Sequence, residues 1–144
     1  MKVEIFTLCE FAKNEPGKLT IIGAFDTIHA TKLPAVMQLA AIAIRIRFDR
    51  IEEGTKRIRF NVIDADGKLI IPSLEIPVTV NFPPSASTAN CGFAAIIQRI
   101  LFPHFGEYSV ELAVDGRSEG SIPLFVRQLI VPQQGQLPQS PSQT

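Results

Sequence analysis

Gly116-Arg117-Ser118-Glu119-Gly120 has the G-x-S-x-G spacing of the nucleophile elbow of serine hydrolases. That chemistry needs a strained turn from a strand into a helix, so that the serine hydroxyl projects beneath an oxyanion hole. Here alternating apolar and polar residues flank the motif on both sides, Tyr108 to Val114 before it and Ile122 to Val126 after it. Ser118 is therefore expected in a hairpin between two strands, and no catalytic residue is assigned.

Asp64-Ala65-Asp66-Gly67 begins like a calcium loop, with Glu75 at the position where such a loop needs its bidentate carboxylate. Leu69, Ile70, Ile71 and Pro72 fill the stretch that should supply further oxygens, so a hairpin turn is the expectation. His29, His104, Cys9 and Cys91 are the soft metal-ligand candidates, and none are paired at metal-site spacing. No glycine-rich phosphate loop occurs. No metal ligand and no cofactor are assigned.

The densest charge lies in Arg45, Arg47, Arg50, Lys56, Arg57 and Arg59, set against Asp49, Glu52 and Glu53. On strands, Arg45 and Arg47 share one face, as do Arg57 and Arg59. These four are the candidate contacts for a protein partner. The competing structural reading pairs Arg57 and Arg59 across strands with Glu107 and Glu111. Nucleic acid is not expected: a groove for it needs exposed aromatics among the cations and a basic domain. The chain instead carries fourteen basic and fourteen acidic residues.

The elements that must position these residues are strands. Ile42, Ile44, Ile46 and Phe48 alternate with Ala43, Arg45 and Arg47, which makes a strand with one buried face. Ile58, Phe60 and Val62 repeat the pattern, as do Leu74 to Phe82, Tyr108 to Val114, and Ile122 to Val126. Asn14-Glu15-Pro16-Gly17, Glu53-Gly54, Asp64 to Gly67 and Asp115-Gly116 supply turns between them. In Gly92 to Phe102 the apolar Phe93, Ile96, Ile97 and Ile100 also fit a helix face, and a strand is the expectation. Pro77 and Pro123 cannot donate to a ladder and predict edge strands. Phe105-Gly106-Glu107-Tyr108 and the alternation after it look like the penultimate strand of an immunoglobulin-like sandwich, with Tyr108 bonding backbone upstream. The predicted fold is all-β, an immunoglobulin-like two-sheet antiparallel sandwich of about eight strands.

The length of 144 residues fits one domain. Residues 1–130 form it, and 131–144 are expected to be a disordered Pro/Gln-rich tail with no charge and little to bury. Pro138-Gln139-Ser140-Pro141 within it has P-x-x-P spacing without a flanking cation. Glu4 and Glu10 interrupt any apolar leader, and no apolar run reaches membrane-span length. The expectation is a cytoplasmic protein with no membrane association, in which Cys9 and Cys91 stay as buried thiols.

Leu8-Cys9-Glu10-Phe11-Ala12, Gly17-Lys18-Leu19-Thr20-Ile21-Ile22-Gly23-Ala24-Phe25-Asp26, Pro34 and the Gly106-to-Gly116 segment resemble a widespread family of small uncharacterised bacterial proteins. The resemblance spans most of residues 1 to 127 and implies an immunoglobulin-like sandwich in a bacterial cytoplasm. It carries no activity and no site residue. The functional expectation is a non-catalytic protein-interaction or accessory module, with apolar Phe6, Leu8 and Phe125 on outward phases. The alternative is a small-ligand or carbohydrate-binding sandwich using Pro83 to Asn90.

Overall fold

Among the described residues, the alternating rows become nine strands in two sheets that share one apolar interior. The computed structural model describes residues 1–132. The strands are β1 (Lys2–Glu15), β2 (Lys18–Ala24), β3 (Thr27–Ala30), β4 (Ala35–Asp49), β5 (Gly54–Asp64), β6 (Leu74–Val80), β7 (Thr88–Phe102), β8 (Gly106–Val114) and β9 (Arg117–Gln128). One sheet has the order β2-β1-β4-β7, the other β3-β9-β8-β5-β6. The expected tail lies, from residue 133 on, outside the described residues.

This topology is immunoglobulin-like on its own terms. β4 lies beside β7 in one sheet while β5, β8 and β9 adjoin in the other, as the B–E and C–F–G strands do in that fold. The predicted corner is present too: the Tyr108 hydroxyl donates to the His104 carbonyl at 2.8 Å and accepts from its amide at 3.2 Å. The ambiguous Gly92 to Phe102 run is strand, within β7. The strand count exceeds the expectation because of β3. It has four residues, too few to show a period, and it pairs parallel with β9.

The interior is filled from both sheets. Ile42, Ile44, Ile46 and Phe48 of β4 face Ile58, Phe60 and Val62 of β5 and Val110 and Leu112 of β8. Phe60 stacks on Phe6 at 6.2 Å between ring centroids and meets Phe93 edge-on at 5.9 Å. It thereby joins β5 to two strands of the opposite sheet. Such aromatic pairs add about 0.5–1.5 kcal/mol beyond their buried area.

Two expectations need correction. Phe6 and Leu8 face inward, opposite Ile44 and Ile42. A bulge between Val3 and Ile5 shifts the phase of β1, so that Val3 and Phe6, three residues apart, point the same way. Pro77 does lie on an edge strand, β6, but Pro123 does not: β9 is flanked by β8 and β3. β3 covers only Phe125 to Gln128 of β9, so Pro123 sits just before that ladder begins and disrupts nothing there.

The outer face of the first sheet carries a second small core. β1 pairs with β4 only as far as Cys9–Ala41, whereas the β1–β2 hairpin continues to Glu15–Lys18. Ala12, Leu19 and Ile21 of that hairpin pack on Cys9, Ala41, Ala43 and Ala94 of the sheet. The hairpin thus folds back as a strap across β4 to β7. Small residues permit the approach. A methyl group at Gly92 would stand 3.2 Å from the Asn14 side-chain oxygen and 3.6 Å from the Ile44 carbonyl oxygen.

Candidate interaction surface

The four arginines singled out by the sequence do not form one patch. Arg45 and Arg47 stand on the outer face of the first sheet, Arg57 and Arg59 on the outer face of the second. The chain crosses between sheets at Arg50–Glu52, a single helical turn, and this separates residues that are neighbours in sequence.

Three of the four meet acidic partners. Glu4, held in the β1 bulge, accepts from Arg45 Nε with one oxygen and Arg47 Nε with the other, both at 3.1 Å. Hydrogen bonding from Arg47, then Arg45, holds the Glu4 carboxyl below its ordinary value. Arg47 also donates to the Thr88 hydroxyl at 3.1 Å. On the other face, β5 does lie beside β8, yet the ion pair of Arg57 is with Glu75 of β6, at 3.4 Å. The register explains this: Glu111 opposes Asn61, and Arg59 opposes Ala113. The Arg59 Nε is buried without a hydrogen-bond partner. Lys56 approaches Asp115 at 3.9 Å, and Asp115 also accepts from the Arg57 amide at 2.8 Å.

The remaining motifs resolve as turns and ladders. Ser118 pairs with Ala113 inside a hairpin whose turn is Asp115-Gly116, both at positive φ. A strand follows it, so the elbow geometry is not formed. Asp64 spends its carboxylate on its own loop, accepting from the amides of Asp66 and Lys68 at 2.9 Å each. Among the described residues no group of three or more His, Cys, Asp or Glu is gathered as a metal site would require. Cys9 and Cys91 are free thiols, and burial raises both above the ordinary thiol value. Cys9 donates weakly to the Ala41 carbonyl at 3.4 Å.

The Pro83 to Asn90 segment closes upon Arg50, whose guanidinium donates to the carbonyls of Pro83 and Ala86 at 3.0 and 2.7 Å. A nearby groove of about 290 Å³ runs between the strap tip and β7 and is lined by Asn14, Leu19, Asn81 and Asn90. Only Asn90 of the expected ligand segment reaches it.

What the sequence reading missed is the edge of the first sheet. β7 spans fifteen residues and, among the described residues, pairs on one side only, with β4. The other three sheet edges are blunted by known devices. β6 is short and carries Pro77, β3 has four residues, and β2 carries Lys18 and a positive-φ Gly23. β7 has no proline, and from Thr88 to Gln98 no charge. The strap overhangs its start, near Gly92. At Gln98-Arg99 the strand changes phase, with Arg99 at φ 50° and Ile97 and Ile100 both inward. Phe93 to Gln98 therefore forms the open stretch. Ile96 projects from its outer face at 65% exposure, and Leu39 of neighbouring β4 is 58% exposed. Phe125, the remaining apolar residue expected outward, is half-covered, with the Arg127 guanidinium 5.0 Å from its ring centre. The signal available in the sequence was the uncharged run itself, which the helix ambiguity obscured.

The family of unknown function DUF6941 matches residues 4–127, and the chain belongs to it. No curated protein matches the chain. Among solved structures it is similar to the alkylpurine DNA glycosylase AlkC of Pseudomonas fluorescens bound to DNA containing an abasic site analog, at 10% identity and a TM-score of 0.49. That match covers 88% of this chain and 30% of the glycosylase. It is also similar to an immunoglobulin-like protein from Pseudomonas aeruginosa, at 12% identity and a TM-score of 0.39, over 88% of this chain and 95% of that one.

Proposed function

We propose that this chain is a non-catalytic, cytoplasmic interaction module that binds a protein partner by accepting a strand along β7. The observation that carries the reading is the stretch Phe93 to Gln98, uncharged and, among the described residues, unpaired on its outer edge, in a fold whose other edges are blunted. Main-chain groups on such an edge supply affinity, and alternate side chains supply selectivity. Catalysis finds no support in the motifs: Ser118 lies in a hairpin, and Asp64 caps its own turn. Nor do the arginines form a track for nucleic acid, because Glu4 and Glu75 bind three of them and the two pairs lie on different faces.

The test is affinity capture from the native host with three folded baits: wild type, Ile96→Lys, and Arg57→Glu/Arg59→Glu. A protein retained by wild type and the arginine variant but lost by Ile96→Lys is expected. Retention by Ile96→Lys with loss on the arginine variant would move the surface to the opposite sheet and overturn the reading.

A further inference from the structure

The open edge of β7 suits one particular strand: its own. Resting on the interaction reading above, we infer that two copies of this chain pair antiparallel through β7, about a two-fold axis near Ile96, to make a continuous eight-stranded sheet from two sheets of order β2-β1-β4-β7.

Three features on this edge point to self-pairing. The first is charge. An isologous edge must be complementary to itself, so any charge at its centre would meet its own image. Phe93 to Gln98 carries none, and about an axis at Ile96 the nearest cation, Arg99, falls opposite Phe93 of the other copy. The second is side-chain matching. An antiparallel pair places residues of equal phase on one face. With the axis at Ile96, that exposed side chain lies beside its twin on the outer face, where each is otherwise 65% open to water. Ala94 then falls opposite Gln98 on the same face, and Ala95 opposite Ile97 on the core side. The third is selectivity. Only the alternate uncharged side chains of this stretch are left to select a partner, and about this axis an identical strand presents the same set in matching phase.

The ends of the stretch limit the ladder without preventing it. Beyond Gln98 the phase change at Arg99 twists the strand away, and at the other end the strap overhangs Gly92 and packs on the outer face as far as Ala94. A ladder centred on Ile96 uses the part between. The exposed Leu39 of β4 lies on the same sheet, within the apolar band that a second copy would extend.

The test uses the whole chain and reads mass by sedimentation equilibrium and by light scattering, with thermal melting to establish that each variant is folded. Ile96 is exposed, so its replacement leaves the interior intact. Wild type is expected to dimerise as concentration rises. Ile96→Lys and Ile96→Glu, each alone, are expected to be monomers, because like charges then stand side by side at the axis. Mixing the two is expected to restore a dimer, since the axis places Lys beside Glu. Hydrogen exchange supplies the location: in the dimer, the amides of Phe93 to Gln98 that point away from β4 become protected. A dimer that survives both substitutions, or that leaves those amides unprotected, overturns the inference. A monomeric wild type with rapid exchange at those amides also overturns it, while the edge stays available to another protein. A monomer in which they exchange slowly means that the edge is closed, and removes both this inference and the reading beneath it.

Discussion

The Tyr108 hydroxyl closes a corner on His104, bonding both its carbonyl and its amide from four residues downstream. The ring is almost fully buried and meets Phe102 edge-on at 4.9 Å between centroids, so the hydroxyl stays fixed where β7 passes into β8. Tyr108→Phe keeps the ring and removes both bonds. It is expected to cost about 1–2 kcal/mol in urea denaturation, without a change in the slope. An unchanged midpoint would mean that water satisfies His104 equally well.

The strap sets a size limit at Gly92. Gly92→Val places branched carbons where Asn14 and the Ile44 carbonyl already stand. A loss of about 1–3 kcal/mol is expected from this overpacking. Amide exchange should quicken across Ala12 to Ile21 while the sandwich interior stays protected. Equal loss of protection everywhere would show that the strap and sandwich open as one unit.

Glu4 gives a pH signature. Its folded pKa is lowered by Arg47 and Arg45, so its stabilisation is present above the unfolded glutamate value, about 4.3. It is lost as pH falls through the lower folded value. The melting temperature of wild type should exceed that of Glu4→Gln at neutral pH, and the gap should close in acid. A gap that does not vary with pH would assign the difference to packing at the bulge.

The two thiols should differ in rate. Cys9 is fully covered beneath the strap, while Cys91 is half-buried on the opposite side of the same sheet. Both are raised by burial and should react slowly near neutral pH. A chromogenic disulfide reagent should label Cys91 first in the native protein. Faster labelling of Cys9 would mean that the strap opens more readily than the sandwich edge.

Much of this fold is legible in the sequence because the period of two survives where one face is buried. Ile42 to Phe48 and Ile58 to Val62 keep a single phase along their strands. The Asp115-Gly116 turn and the Tyr108 corner are local, so neighbouring residues suffice to recognise them. The failures come from non-local causes. A bulge at Glu4 inverts the phase of Phe6 and Leu8, and β3 depends on a strand far along the chain. Ala43 falls in the outward row of its strand by pattern, and nothing local marks that the strap covers it together with Ala41 and Ala94. The arginine cluster dissolves for a similar reason, since one helical turn carries the chain from one sheet to the other. No period in the sequence marks that step. The uncharged run of β7 is visible in the sequence, but that its edge is open follows from strand order, which local pattern leaves undetermined.

The parallel pair of β3 and β9 also sets an order of events. Thr27 lies beside Phe125, and the Asp26 carbonyl accepts from the Phe125 amide at 2.7 Å. During synthesis the β1–β2 hairpin can form early, whereas β3 must wait unpaired until almost all of the described chain has emerged. Closing so long a loop precedes any gain from the contacts it makes. Until then the segment after Ala24 has no ladder to join, and the second sheet lacks the strand that covers its β9 side. The last of the described strands to be made is therefore the one that docks one of the first, and a nascent chain halted near Gly116 would leave β3 without its partner.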